Sequence, residues 1–191
     1  VFTNSWYDET AEKEGAQKLI AGGCVLISQH ADSYGAPSAC EEAGVPNVSY
    51  NGSTEAQCPN TFIVSSRINW EPYMSHCIDC VKNGEEIETD FVGTIDDGSV
   101  VLTDFGKKAP AAGTAEKVEE IKAAIVDGSL KIFDTTTFTV KGKALETYKA
   151  DVDDMGDYVG ETEVIKDGAF LESTYRSAPY FDIDIDGITL K

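Results

Sequence analysis

The sequence predicts an α/β protein built on a parallel sheet with flanking helices, extended at its C-terminus by an antiparallel, β-rich segment. Three observations predict it. Apolar strand-like runs alternate with amphipathic stretches from Val1 to about Phe133, the pattern of βαβ units. Two of those runs break into polar and aromatic residues just before a helix, at Thr3-Asn4-Ser5-Trp6-Tyr7-Asp8 and Gln29-His30-Ala31-Asp32-Ser33. Ligands of open α/β sheets bind outside the carboxyl ends of the strands, so two such endings suggest one shared cleft. From Asp134 the pattern turns all-β and acidic.

Taken in order, Val1 lies inside a strand-like run with no cap or turn before it. We therefore expect the C-terminal part of a longer protein. No signal peptide, lipobox or membrane-spanning run appears in these residues. Thr10 to Ala21 reads as a helix, with Asp8 as candidate N-cap, Ala11, Ala16, Leu19 and Ile20 on one face, and Gly22-Gly23 as its stop. Cys24 to Ser28 is a buried-type strand. Pro37 to Ala43 is a helix closed by Gly44, and Val45 to Tyr50 is the third strand. Thr61 to Ser66 is the fourth, followed by a helix over Trp70–Val81. Thr89 to Phe105 looks like a hairpin turning at Asp97-Gly98. Pro110 to Asp127 is a helix with Thr114 as N-cap and Val118, Ile121, Ala124 and Ile125 on its apolar face, and Leu130 to Phe133 is a short strand. Hairpins follow through Gly142 and through Asp167-Gly168. Phe181 to Asp186 alternates strictly and reads as a half-buried strand.

The 41 % hydrophobic content suffices for a core, while the net charge of −19 is unusual. It argues against nucleic acid, whose affinity comes from Lys and Arg neutralising phosphates, and against electrostatic attachment to anionic lipid. It reads as solubilising surface charge. The five cysteines, Cys24, Cys40, Cys58, Cys77 and Cys80, are odd in number, so at least one is unpaired within the monomer. Cys24 and Cys40 fall at apolar positions, and buried free thiols are expected. Cys77-Ile-Asp-Cys80 has metal-like spacing but sits in a helix without a second such pair. A redox pair would need a strand before it and a helix after it.

Catalytic signatures are weak: no GxSxG, P-loop or HExxH occurs. His30, Asp32 and Ser33 are too close in sequence to form a triad. No second His or Cys stands near His30 at ligand spacing, so no metal is expected there. Asp151 to Asp157 resembles a calcium loop but has Met155 and Thr162 at ligating positions. Trp6 is either a core residue or a stacking platform, and polar Asn4, Ser5 and Asp8 around it favour the platform. Asp8 suits a helix cap better than a ligand contact. Asp32 suits a cap or a ligand hydrogen bond equally, and Trp70 stands between core and cleft.

At Thr3 to Asp8, Gln29 to Ser33 and Ile68-Asn69-Trp70 the chain resembles the basic membrane protein family of bacterial lipoproteins, the substrate-binding components of purine nucleoside ABC transporters. The similarity runs from Val1 to about Phe133, through Gly93–Gly106 and the helix Ala115–Gly128. It implies a periplasmic-binding-protein type I fold, with a Rossmann-like parallel sheet in each of two lobes. Residues 1–87 would be most of the second lobe, 88–133 would return to the first, and 134–191 would be an acidic β-rich extension outside the family pattern. It further implies an extracytoplasmic location, a lipid anchor outside this chain, an ABC permease as partner, no cofactor, and binding rather than catalysis. An aromatic at the Trp6 position stacks on the purine, and the loop at Ala31-Asp32-Ser33 approaches the ligand. The family's ribose-binding Asp falls at Asn51 and its Lys near Arg67 or Ile68, both departures. Losing that carboxylate removes a charge-assisted acceptor, so a free purine base is as credible a ligand as a nucleoside. The expected ligand contacts are Trp6, Asp8, His30, Asp32, Ser33, Asn51 and Trp70. Two other functions remain open: a doubly wound enzyme acting on nucleosides or sugars, and a cytosolic effector-sensing domain.

Overall fold

Asp8 starts the first helix because its carboxylate accepts the Ala11 N–H at 2.9 Å, and Glu12 reaches back to the Asp8 N–H at 3.0 Å. Two orphan donors of the first turn are thereby satisfied. In this computed structural model, residues 1–153, 158–172, 174–176 and 180–190 are described. Their elements are α1 (Glu9–Ala21), β1 (Ile27–Ser28), α2 (Gly35–Ala43), β2 (Asn47–Tyr50), β3 (Phe62–Ile68), α3 (Glu71–Asn83), β4 (Val100–Leu102) and α4 (Thr114–Val126). Six two-residue strands follow: β5 (Thr139–Val140), β6 (Lys143–Ala144), β7 (Lys149–Ala150), β8 (Thr162–Glu163), β9 (Ile165–Lys166) and β10 (Ala169–Phe170). Among the described residues no helix is long and apolar enough to cross a membrane.

The chain divides into two compact units. The first holds Val1–Asn69 and Gly98–Glu120. Its sheet has the order β1-β2-β3-β4. β1, β2 and β3 run parallel, with Ile27 opposite Asn47 and Tyr50 opposite Ser66. α1 and α2 pack on each other over a core of Ala16, Ile27, Ala36, Ala39 and Cys40. Gly35 permits that approach, since a Cβ there would collide with the Glu9 carbonyl oxygen and stand 2.9 Å from the Lys13 nitrogen.

Four expectations for this unit change. Val1–Phe2 carries no strand ladder, and the second strand shrinks from Cys24–Ser28 to Ile27–Ser28. β1 is the edge of the sheet, so Cys24, Val25 and Leu26 stand exposed rather than buried. The predicted hairpin over Thr89–Phe105 does not close on itself. β4 instead adds antiparallel to β3, with Arg67 opposite Val101, because the free edge of a parallel sheet offers backbone partners that the residues before Asp97 do not. Thr114 opens α4 rather than capping it, since Lys117 N–H donates to the Gly113 carbonyl at 3.0 Å.

The second unit holds Trp70–Asp97 and Ile121–Leu190. Hairpins β5–β6 and β9–β10 form where the sequence places turns, with Lys141, Gly142, Asp167 and Gly168 all at positive φ. Their core is aromatic: Ala150, Val164, Phe170 and Tyr180 are buried, with Phe133, Leu145, Tyr148, Phe181 and Ile183 packed on them. Leu130–Phe133 is not a strand, although Phe170 N–H donates to the Phe133 carbonyl. Phe181–Asp186 alternates half-buried and exposed as expected, yet it joins no strand ladder among the described residues, and of its backbone only the Asp186 N–H reaches β5, donating to the Thr139 carbonyl at 2.9 Å. Its last residue serves the hairpin instead. Asp186 accepts the Lys141 and Gly142 N–H groups at 3.0 and 2.7 Å and the Thr139 hydroxyl at 2.6 Å. Those bonds hold its carboxyl below the usual range. The calcium-like stretch from Asp151 includes residues 154–157, which lie outside the described residues.

Candidate functional site

Parallel strands end on the same side of a sheet, so the segments after β1, β2 and β3 share one edge. After β1 the chain runs through Gln29, His30, Ala31, Asp32 and Ser33. After β2 comes Asn51, held at a φ of 69° with its N–H donating to the Ser66 carbonyl at 2.6 Å. Asn tolerates this left-handed conformation better than most residues, which is a local reason for Asn here.

Rings gather at this edge. The His30 imidazole stacks on Tyr50, centroids 4.3 Å apart and planes 15° apart. Trp6 lies on His30, centroids 6.4 Å apart and planes tilted by 50°. Trp6 is 76 % exposed. Asp32 and Asn51 are exposed as well, and the Asp32 N–H donates to the Trp6 carbonyl at 2.9 Å. The Trp6 loop and the His30–Asp32 loop are thus joined by a ring contact and by a backbone hydrogen bond.

A cleft of about 530 Å³ opens beside these residues. Ala16, Leu19, Ile27 and Ala36 form its apolar part, and Asn4, Trp6, Gln29 and His30 lie toward its polar part. That volume lies within the range of small-molecule sites, about 300–1,000 Å³. Gln29 donates from Nε2 to the Ser33 carbonyl at 3.1 Å. Its Oε1 is buried and accepts nothing from the described residues. A buried acceptor normally has a partner, so this one is available to a donor entering the cleft.

Two predicted contacts serve the scaffold. Asp8 caps α1. Ser33 is buried, and its hydroxyl accepts the Gly35 N–H at 3.1 Å. Asp32 caps nothing: Tyr34 occupies the N-cap of α2 without a side-chain bond. Trp70 belongs to the second unit, 58 % exposed, and its ring meets Tyr73 at 6.3 Å.

Sequence reasoning missed three residues. Tyr50 was read only as a strand end. Gln29 stands in the sequence only as the first residue of the Gln29–Ser33 motif. Glu12 was passed over, yet it is 4 % exposed and bridges both loops. One carboxylate oxygen accepts the Asp8 N–H at 3.0 Å and the other the Ser33 N–H at 3.2 Å. A Glu four residues after a capping Asp was the available signal for the first bond; nothing local announced the second.

The described cysteines are all free. Cys40 and Cys58 are buried, and burial, then the nearby Cys58 charge, pushes the Cys40 thiol up to about 11. Cys24 is exposed, against the expectation of a buried thiol. In the second unit, Cys80, His76 and Glu88 bring their ligating atoms within 4.8 Å of one another.

Three parallel strands with flanking helices, joined by antiparallel β4, define an α/β fold. A solved ABC transporter solute-binding protein from Conexibacter woesei has this fold, with a TM-score of 0.55 at 20 % identity over 69 % of this chain and 45 % of that one. The chain belongs to the PnrA-like ABC transporter substrate-binding protein family, Bmp, whose family model matches residues 1–131. Two curated relatives align with it. One, from Haloferax volcanii and provisionally named an ABC transporter glucose-binding protein, is 26 % identical over 123 residues, 61 % of this chain and 32 % of its own. The other, a purine-binding protein of Brucella abortus, is 26 % identical over 133 residues, 70 % of this chain and 37 % of its own. The chain therefore spans about a third of the length of these relatives.

Proposed function

We propose that this chain forms part of the solute site of an ABC importer's substrate-binding protein, and that the solute is a purine, as nucleoside or free base. The observation that carries the reading is the group of Trp6, His30 and Tyr50 rings at the carboxyl edge. A purine offers a flat π-face for Trp6, while Asp32 and Asn51 offer hydrogen bonds at its rim. The unpaired Gln29 Oε1 suits a ring N–H or exocyclic amine. Asn51 in place of a carboxylate weakens the hold on ribose hydroxyls, so bases should compete well with nucleosides. The protein works outside the cytoplasm by binding and release, delivering its solute to a membrane permease. A lipid anchor outside this chain would hold it at the membrane.

Calorimetry on the full-length protein tests this against adenosine, guanosine, adenine, guanine and glucose. We expect purine binding, with Trp6→Ala costing about 1–3 kcal/mol, as base–aromatic stacking does elsewhere. Glucose binding without purine binding, or full purine affinity in Trp6→Ala, would reject the assignment.

A further inference from the structure

On α3, His76 and Cys80 are four residues apart and so project from the same side of the helix. Glu88 meets them from the stretch that follows. His76 Nε2 stands 3.6 Å from Cys80 Sγ and 2.6 Å from Glu88 Oε2. Cys80 is buried, His76 is half-buried and Glu88 is exposed. The thiol side is therefore closed and the carboxylate side open, which leaves an entry path.

We propose that His76 Nε2, Cys80 Sγ and the Glu88 carboxylate hold one divalent metal ion of the zinc type. Zinc takes thiolate at about 2.3 Å and imidazole at about 2.0–2.1 Å in tetrahedral geometry, which puts sulfur and nitrogen about 3.5–3.6 Å apart. The observed 3.6 Å already matches in length, but Sγ also stands 3.9 Å from Nδ1, beside the ring, so the His76 ring has to turn to bring its Nε2 lone pair to the ion. The same geometry wants nitrogen and oxygen about 3.3 Å apart, against the 2.6 Å of the present hydrogen bond. Rotation of the exposed Glu88 side chain supplies that small withdrawal. The donor set selects the ion. A thiolate disfavours magnesium and calcium, which take oxygen ligands, while mixed sulfur and nitrogen ligands suit zinc. Three protein ligands leave the fourth position to water. Binding displaces the thiol proton to solvent and forms a sulfur–metal bond, with no change of oxidation state. The ion would cross-link α3 to residues 85–90, a stretch with no helix or strand of its own. None of the three ligands belongs to the proposed solute site, so this inference stands apart from that reading.

Cobalt(II) reports the site, because a thiolate ligand gives it an intense near-ultraviolet charge-transfer band. The titration uses the full chain carrying Cys24→Ser and Cys77→Ser, which removes the other accessible thiols. We expect the band to saturate at one equivalent and to bleach on adding zinc. Cys80→Ser should abolish it. His76→Gln and Glu88→Gln should each weaken binding on the order of a hundredfold, since even outer-shell partners cost 10–100-fold. Glu88 is exposed and Gln has its shape, so that variant stays folded and decides the matter if Cys80→Ser unfolds. A band absent at one equivalent, or undiminished in Glu88→Gln, would overturn the site.

Discussion

Replacing Glu12 with Gln tests how the two loops of the solute site are held. The carboxylate is 4 % exposed and accepts two backbone N–H groups, from Asp8 and Ser33. Hydrogen bonds to a charged group are worth about 1.5–3 kcal/mol each, and a buried donor left without a partner costs about 1–3 kcal/mol. Gln keeps the size and one acceptor oxygen. One N–H then has a neutral partner, and the other faces an amide NH₂ that can only donate. Relief of a buried charge offsets part of the loss, leaving a destabilisation of about 2 kcal/mol. For a chain of this length melting in one transition, that lowers the melting temperature by about 4–8 °C. Scanning calorimetry measures it. Fluorescence of Trp6 in a Trp70→Phe background reports the loop itself, and its emission should change with the Ser33 tether gone. An unchanged melt together with unchanged emission would refute the idea that Glu12 joins the loops.

Gly35→Ala should force α1 and α2 apart, because its Cβ would collide with the Glu9 carbonyl. A loss of about 1–3 kcal/mol, typical of overpacking, is expected in chemical denaturation, whereas Gly23→Ala, with open space around it but a φ of 91°, should cost only its backbone strain. Alkylation of the native chain should reach Cys24 first and spare Cys40 and Cys58 until the chain unfolds, as peptide mapping by mass spectrometry would record; early modification of Cys40 would contradict its burial. Tyr148, pushed up to about 12 by burial and by its hydrogen bond to Asp182, should titrate well above pH 10. Its folded pKa lies above the unfolded value near 10, so its contribution is fully present below pH 10 and is lost as pH rises toward 12. Ultraviolet titration of phenolate should lose that late phase in Tyr148→Phe, and denaturation midpoints of the parent should fall across the same window.

Local signals set much of this molecule before any tertiary contact exists. Asp8 caps α1 because its carboxylate reaches an N–H three residues on, a choice made within one turn. Gly44 ends α2, and Gly142 and Gly168 turn their hairpins, because the backbone there needs positive φ. Strand–helix alternation fixed the α/β class and the parallel sense of β1 to β3, which placed His30 and Asn51 at one edge. Partners distant in sequence were decided only by folding. β4 had two routes to backbone pairing, a hairpin of its own or the edge of β3. Which one wins depends on an edge that exists only after β3 is in the sheet. Cys24 to Leu26 read as buried because apolar runs usually are, and their edge position exposes them. The stacking of His30 on Tyr50, the second bond of Glu12, the Asp186 carboxylate in the Thr139–Gly142 turn and the approach of Glu88 to His76 and Cys80 all join residues from separate elements. No periodicity encodes such meetings, because each depends on the whole backbone path that brings the two ends together.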